Sequence, residues 1–418
     1  MSNINYLCTR YSSAADNHFL NCASHVSSFK TCQLLLETLK IYERIKKIMK
    51  SKANIRFVSP QKTDFFMVLK KRVDQYFEDN KISRHANAAM VLKTIILLTA
   101  YLGPFLYMMI AQPSFGISIG MWAIMGFAMA GIGMSIMHDA NHGAYSSNEK
   151  INSWVGYTIN LCGGGVFNWK IQHNLMHHTY TNISDYDEDI ESKLSMRFDP
   201  HSELKWYHRF QWFLAFIYYG IITLYWVLLK DFVQYVKYIK NGVNRNSPAK
   251  NRVVLAKIII LKLIYFFVIL VLPIAIIGIP VFTVVMGFLL MHFIGGFILS
   301  TVFQLAHTVD ETHHPLPNKD GVIENDWAIH QLQTTMNFCR GNKIISWYVG
   351  GLNYQVEHHL FSRISHVHYP AISHIVKATA EEYGVPYLEN NTLAGALSSH
   401  VRALKRFGKL PDLNEVMG

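Results

Sequence analysis

Four long apolar stretches dominate the pattern of hydrophobic and polar positions along the chain. Each is long enough to cross the roughly 30 Å hydrocarbon core of a bilayer as a helix. They occupy residues 88–111, 115–137, 257–278 and 281–306. Short turns containing Gly and Pro separate the members of each pair, at residues 111–114 and 277–280. The pattern therefore predicts an all-α integral membrane protein with four transmembrane helices in two hairpins.

A fifth apolar stretch, from Trp212 to Leu229, is ambiguous. If it crossed the membrane together with the later pair, the polar segments around His173 and His358 would lie on opposite faces. Its Trp and Tyr residues are typical of helices in the head-group region of a membrane. We therefore predict an interfacial helix here, and a helical cap formed by the remaining polar segments.

The distribution of basic residues predicts the orientation. No Lys or Arg occurs between Lys93 and Lys150, or between Lys262 and Lys319. Because basic residues favour the cytosolic side, both hairpin turns are predicted to face outward. Both termini and the polar loops would then face the cytosol. This topology, with attraction to anionic membrane lipid, accounts for the formal net charge of +11 without a nucleic-acid partner.

Composition fits a multi-pass protein, since half of the 418 residues are hydrophobic. The five cysteines are odd in number and form no Cys-x-x-Cys pair, so neither a disulfide framework nor a cysteine metal site is indicated. Residues 1–48 lack the apolar core of a signal peptide. We predict that they form a disordered or untranslated extension, with Met49 as a possible start. Residues 49–418 would form one domain.

Histidines cluster after these apolar runs. In the first box, HDANH, His138 and His142 are four residues apart, so they share one face of a helix and can bind one ion together. In HNLMHH, His173 and His177 repeat this step. The adjacent His178 would point about 100° away, towards a neighbouring ion.

The third box, QVEHH, contains the adjacent pair His358 and His359. Gln355 lies one helical turn earlier, where its amide oxygen could bind metal or a metal-bound water. His307 ends the fourth apolar run as His138 follows the second, so we expect both at the same membrane depth. His292 lies within the fourth run, and we expect it to form hydrogen bonds inside the bundle.

Eight imidazoles limit the choice of metal. Calcium and magnesium take oxygen ligands, which leaves zinc, iron, copper or nickel. Zinc sites stop at about four ligands, so eight imidazoles exceed the need of one zinc. They suit two irons that keep positions open for oxygen.

The three boxes, in this order and separated by apolar hairpins, resemble those of the membrane fatty acid desaturases. The resemblance covers about residues 55–410. The third box begins with Gln, and in this it is similar to the front-end desaturases. The resemblance implies a diiron site that is both catalytic and metal-binding, formed by His138, His142, His173, His177, His178, His307, Gln355, His358 and His359.

In this family two ferrous ions activate O2, and hydrogen atoms are removed from adjacent methylenes of an acyl chain. The resemblance implies a cis double bond placed in an acyl-CoA or acyl-lipid, between an existing double bond and the carboxyl end. Many relatives carry a fused cytochrome domain with a His-Pro-Gly-Gly motif, which does not occur in this sequence. We therefore expect a separate electron donor, either a ferredoxin or a free cytochrome.

Other polar residues are weaker candidates. Partners that orient the imidazoles are expected among Asp139, Asn141, Asn182, Asp185, Asp187 and Glu357. Further histidines, His313, His314 and His330, are less favoured as ligands. A fatty acyl or alkane hydroxylase is the alternative function, since it would use the same boxes. A membrane electron carrier needs haem-binding histidines within the spans, and a metal transporter needs polar spans, so both are less favoured.

Overall fold

The computed structural model describes residues 55–60, 63–191 and 196–409, most of which are helical. The predicted extension, residues 1–48, lies outside the described residues and stays a prediction. In chain order the helices are α1 (Phe65–Asp79), α2 (Ala88–Ala111), α3 (Phe115–His142), α4 (Glu149–Gly156), α5 (166–180), α6 (Trp206–Lys240), α7 (Pro248–Ile277), α8 (Val281–His307), α9 (Trp327–Thr334), α10 (Lys343–Tyr348), α11 (Gln355–Leu360), α12 (Tyr369–Glu382) and α13 (Leu393–Phe407).

Five of these helices, α2, α3, α6, α7 and α8, are long and apolar enough to cross a membrane. The four predicted spans coincide with α2, α3, α7 and α8 within a few residues, except that α7 begins at Pro248. The fifth, α6, contains the ambiguous stretch and extends it to 35 residues. The length and composition of these helices indicate a membrane protein.

Helix α8 packs between α3 and α6, and glycines allow the close approach. A methyl group added at Gly287 would lie 2.0 Å from the indole of Trp122 in α3. One added at Gly296 would lie 2.7 Å from the carbonyl oxygen of Tyr219 in α6. Neither position accepts a larger side chain without movement of a helix.

His292 joins three helices in the middle of this bundle. Its Nε2 lies 2.8 Å from the hydroxyl of Tyr265 in α7, and its Nδ1 lies 3.1 Å from the hydroxyl of Thr223 in α6. Because both ring nitrogens have partners, a buried polar group is satisfied inside an apolar layer. The prediction that His292 forms hydrogen bonds within the bundle is confirmed.

The expectation of an all-α fold needs a small correction. Two pairs of two-residue parallel strands occur, β1 (Arg56–Phe57) with β2 (Val322–Ile323), and β3 (Asn337–Phe338) with β4 (Glu389–Asn390). Strands of two residues carry no readable periodicity, because one alternation is too short to distinguish from chance. Each pair joins segments that are distant in sequence.

The shorter helices gather at the histidine-bearing ends of α3 and α8. In α5, Asn174 donates its amide to the carbonyl oxygen of Asn141 at 2.9 Å. The side chain of Asn182, after α5, donates to the carbonyl oxygen of His307 at 2.9 Å. These bonds use backbone carbonyls left free at helix ends. They hold the segment that contains the second box against the first box and His307.

Candidate metal centre

The first box lies at the end of α3. The five residues that precede Met137 and the box, Ile132–Ile136, form a π-helical turn, a feature found frequently at functional sites. The rings of His138 and His142 are 4.7 Å apart between centroids, and both side chains are buried. Helix α3 ends at Gly143, whose φ of +77° is easily adopted only by glycine. Thus the two imidazoles share one helix face, as the spacing predicts.

The second box lies in α5, where residues Lys170–His177 are also π-helical. His173 and His177 stack face to face with centroids 5.2 Å apart. Their metal-binding neighbours differ, however: His173 groups with the first box and His177 with His307. The expectation that His173 and His177 bind one ion together stays a prediction, because the two also form a group with Asp189 within the same distance limit.

Two groups that consist only of histidines result. The first group contains four buried histidines, and in it ligand atoms lie within 4.8 Å of one another. The second group contains three buried histidines and meets the same distance limit. The first consists of His138, His142, His173 and His358, and the second of His177, His307 and His359.

His178 lies between the two groups. Its ring centroid is 4.8 Å from that of His142, 4.6 Å from that of His358 and 4.4 Å from that of His359. The pair His358 and His359 in α11 is likewise divided, one ring in each group. The adjacent histidines of both boxes therefore connect two neighbouring sites, as the sequence predicts for a pair of ions.

The unpaired ring nitrogens fit a metal. Among the described residues, no hydrogen-bond partner is found for the buried Nε2 atoms of His142, His307, His358 and His359. A buried polar atom without a partner costs roughly 1–3 kcal/mol, and a metal would remove that cost. Nε2 of His173 lies 3.1 Å from Nε2 of His138 and 3.3 Å from that of His178. Two imidazole nitrogens that bind one ion at a right angle, each about 2.1 Å from it, would be about 3.0 Å apart. The observed distances between the ring nitrogens are therefore close to those expected for ligands of one ion.

The Nδ1 atoms of the second group have buried partners. Nδ1 of His177 lies 3.1 Å from both carboxylate oxygens of Asp187, and Nδ1 of His307 lies 3.3 Å from the carbonyl oxygen of Thr334. Nδ1 of His359 lies 2.8 Å from the amide oxygen of Gln331. Oxygen acceptors place the hydrogen on Nδ1, so Nε2 keeps the lone pair that a metal needs.

Burial keeps the imidazoles in the metal-binding form. Outside the membrane helices, the pKa of His178, His358 and His359 lies well below 6.5, first because burial disfavours the charged ring and then because other imidazoles surround it. Burial also lowers the pKa of His173, although Asp189 opposes this shift. All four rings are therefore neutral near pH 7, the state in which histidine binds metal.

Gln355 lies beside the first group. It is buried in the first turn of α11, and its amide oxygen has no hydrogen-bond partner among the described residues. It lines the same cavity as His138 and His173. This position is consistent with contact to a metal-bound water, but Gln355 belongs to neither histidine group.

The expected orienting residues divide into two kinds. Asp187 contacts a ligand imidazole directly, and Asn182 holds the backbone of His307. Asn141 donates to the carbonyl oxygen of Gly156, not to an imidazole. Asp185 is exposed on a turn with a φ of +68°, so its assignment as an orienting residue is wrong.

Two buried acids support the boxes from behind. Asp139 accepts a hydrogen bond from Ser365 at 2.7 Å and lies 2.9 Å from Nδ1 of His366. Glu357 accepts hydrogen bonds from Asn337 and Tyr387 at 2.8 and 2.7 Å. Each acid thus connects its box to residues outside that box, and neither contacts the ring of a proposed ligand.

The less favoured histidines stay outside the two groups. His330 lies with its Nε2 2.9 Å from the carbonyl oxygen of Thr181, and the ring of His314 packs 5.1 Å from that of Phe407. His313 is likewise absent from the histidine groups among the described residues. The contacts described for His330 and His314 are thus a hydrogen bond and ring packing.

Sequence reasoning missed three partners of the imidazoles. Asp189 lies 3.8 Å from Nδ1 of His173 and 3.7 Å from that of His177, and the three could form a further ligand group. Gln331 contacts His359, and the hydroxyl of Tyr369 lies 3.2 Å from Nδ1 of His358. Only Asp189 carried a sequence signal, since it follows the second box within an acidic run.

An apolar cavity of about 190 Å³ opens beside the first group. Its apolar walls come from α3, α6 and α8, and His138, His173 and Gln355 lie on its polar side. Representative apolar lining residues are Met137, Tyr219, Ile222, Leu299 and Phe303. A long apolar ligand would meet the first group of imidazoles at this place.

Comparison with known proteins agrees with this geometry. The fatty acid desaturase family model matches residues 113–391. The chain belongs to the fatty acid desaturase family. The resemblance seen in the histidine boxes is thereby confirmed, and the protein is an oxidoreductase of acyl lipids.

Curated relatives cover most of the chain. The chain is 35% identical to an sn-1 linoleoyl-lipid 6-desaturase of Arthrospira platensis, over 83% of this chain and 94% of the relative. It is 34% identical to a protein of the same name from Synechocystis, over 84% of this chain and 97% of the relative. An acyl-lipid (8-3)-desaturase of Physcomitrium patens is 34% identical, over 85% of this chain and 74% of the relative.

Proposed function

We propose that this desaturase places a cis double bond in a lipid-linked acyl chain, between an existing double bond and the carboxyl end. The observation that carries the proposal is the apolar cavity that ends on Gln355 and the first group of imidazoles. Relatives named for 6- and (8-3)-desaturation of acyl lipids support the front-end type. Linoleoyl chains already carry double bonds farther from the carboxyl end than position 6.

We propose that the two histidine groups hold two irons. His138, His142, His173 and His358 would bind one, His177, His307 and His359 the other, with His178 between them and Gln355 beside the first. Bound iron would supply the O2-dependent oxidation of unactivated C–H bonds, for which side chains alone have no acid or base handle. The unpaired Nε2 atoms and the distances near 3 Å support this assignment.

The residues of the chain would then set position and exclude water. The walls from α3, α6 and α8 would hold the acyl chain extended past His138 and His173, so that the choice of carbons is geometric. Asp187, Gln331 and the carbonyl oxygen of Thr334 would keep the second group in the tautomer that offers Nε2.

We propose four membrane crossings, with α6 entering the bundle from the interface without crossing the membrane. His138 and His307 lie close to the same set of imidazoles, so an even number of crossings must separate them. Helices α7 and α8 supply two, and a crossing by α6 would make three. Both ends of α6 also contact residues near the site: Gln211 donates to the carbonyl oxygen of Leu404, and Gln234 donates to Gln172.

We further propose that the site and both termini face the cytosol, since the basic residues cluster beyond that end of the spans. We also propose that electrons come from a separate donor, either a ferredoxin or a free cytochrome. The desaturase domain would cover residues 49–418. Labelling of engineered cysteines tests the topology: positions 114 and 278 should react from outside, and position 247 should not.

Expression in a host fed with linoleate tests the function. Gas chromatography and mass spectrometry of the lipid methyl esters should show a new double bond on the carboxyl side of the existing ones. A His358→Ala chain expressed at the same level is the control and should give no product. A hydroxylated product would favour the hydroxylase alternative, and a first double bond in saturated stearoyl chains would refute the front-end type.

A further inference from the structure

A second cavity, of about 250 Å³, lies apart from the histidines. Its walls come from the first turns of α5, the preceding glycines, the 3₁₀ turn Tyr157–Cys162 and one face of α7. On the α7 side the lining is apolar, with Val254, Ile258 and Leu261. The cavity thus has an apolar wall on the α7 side and polar residues elsewhere in its lining.

The charges around this cavity do not balance. Lys170, Lys257 and Lys262 line it, together with a single acid, Asp231. Lys262 is already paired with Asp231 at 2.8 Å and also donates to the carbonyl oxygen of Trp226 at 2.9 Å. Within the described part of the chain, Lys170 and Lys257 form no ion pair and no side-chain hydrogen bond. Two positive charges therefore face the cavity without a partner, which favours an anionic ligand.

The position along α7 places the cavity at the edge of the hydrocarbon layer. From Ile258 to the end of α7 at Ile277 there are 20 residues, which rise about 30 Å, the thickness of a bilayer core. With Ile277 taken as the far boundary of this layer, Lys257 is the last residue before the layer begins. Phosphate groups of lipids lie at this depth, with their acyl chains directed towards the apolar residues that follow.

Trp226 separates this cavity from the acyl cavity beside the histidines. Its indole lines the acyl cavity and packs on Gly164, where an added methyl group would lie 2.4 Å from the ring. The same indole donates from Nε1 to Asp231 at 3.3 Å, and Asp231 lines the second cavity. A ligand with its head group in one cavity needs to pass only this side chain to place an acyl chain in the other.

We propose that the second cavity binds the anionic head group of a glycerolipid, with Lys170 and Lys257 on its phosphate. This inference rests on the proposed function and deepens it, since it assigns the acyl donor to an anionic membrane lipid. The apolar face of α7, which a water-soluble phosphate would not need, favours the lipid over free phosphate.

Binding of dioleoyl phosphatidylglycerol to the purified chain in detergent tests the proposal, with native mass spectrometry as the readout. The wild-type chain should retain this lipid, whereas the double variant Lys170→Gln/Lys257→Gln should bind it about 25-fold more weakly, because each lysine near an anionic lipid contributes about fivefold. Lys250→Gln is the matched control, since Lys250 is exposed on the same helix outside the cavity. Its retention should equal that of the wild type.

Equal retention by the double variant and the wild type would refute the site. Parallel titrations with oleoyl-CoA and with inorganic phosphate identify the source of the phosphate. Lysine-dependent binding of oleoyl-CoA but not of the lipid, or displacement of the lipid by inorganic phosphate, would overturn the assignment to a glycerolipid. The measurement involves no turnover, so a failure of desaturation leaves this result intact, and desaturation without lysine-dependent binding refutes this inference alone.

Discussion

The two histidine groups differ in what holds them. In the second group, every Nδ1 faces a buried oxygen, from Asp187, Gln331 or the carbonyl group of Thr334. The first group has fewer such partners and packs against Trp169 and the acyl cavity instead. The difference indicates two roles. The second group is held in place by hydrogen bonds, and the first group lies where the acyl chain would bind.

Removal of a ligand should have the largest effect. His307→Ala should lower the iron content from about two per chain to about one, since only the second group loses a ligand, and turnover should become undetectable. His358→Ala should do the same through the first group, and so should His177→Ala through the second. Metal analysis by mass spectrometry and an absorption spectrum without a Soret band check this. Two irons retained in His307→Ala would remove that residue from the site.

The second largest effect is expected when one hydrogen-bond partner of the second group is removed. Gln331→Leu takes away the nearer of the two oxygens beside Nδ1 of His359 and should reduce iron affinity or activity about 10- to 100-fold, the usual cost of a lost partner behind a ligand. Gln333→Leu in the same helix is the control, because Gln333 contacts Asn325 and no ligand. Equal losses in both variants would mean that the helix, not the hydrogen bond, is responsible.

Variants of Gln355 test the role of a polar side chain beside the first group. Gln355→His should keep part of the activity, because an imidazole can occupy the same place, whereas Gln355→Ala should lose most of it, by about tenfold or more. Both variants should keep about two irons, since we expect Gln355 to contact a metal-bound water and not the metal itself. Loss of one iron from Gln355→Ala would make this residue a full ligand.

The smallest effect on iron content and total activity is expected in the acyl cavity, because a change in its wall alters which acyl chain is accepted and leaves both histidine groups intact. Ile222→Trp adds bulk to its wall and should shift the products towards shorter acyl chains, by about 10- to 200-fold in preference, as differences of one methylene do in other apolar pockets. Ile221→Trp points to the exposed side of α6 and should leave the product pattern unchanged. Chromatography of the products from a mixture of fatty acids checks both variants.

Much of the fold and site follows from the sequence alone. The four predicted spans match helices, and the seven box histidines and His307 assemble, because apolar length and four-residue spacing are properties of local sequence. The grouping of His173 with the first box and of His177 with His307 was not predictable, since these partners are distant in the sequence. Gln331 was missed because it reaches His359 from a helix 28 positions earlier in the chain.

The role of α6 shows a further limit of sequence reasoning. Hydropathy gives its length but not its direction. Its path depends on its contacts with Leu404 at one end, Gln172 at the other and His292 between them. The exposed Asp185 was misassigned for a similar reason, since acidic residues near a box look alike until the turn that carries them is known.

The π-helical turns before the first box and within the second have a consequence for insertions and deletions. Each such turn holds one residue more than an α-helical turn would. Deleting a single residue from Ile132–Ile136 could restore a regular helix while everything after it kept its orientation. In an ordinary helix the same deletion would swing all later side chains by about 100°. The chain thus carries, next to its ligands, a place where its length can change by one without misaligning them.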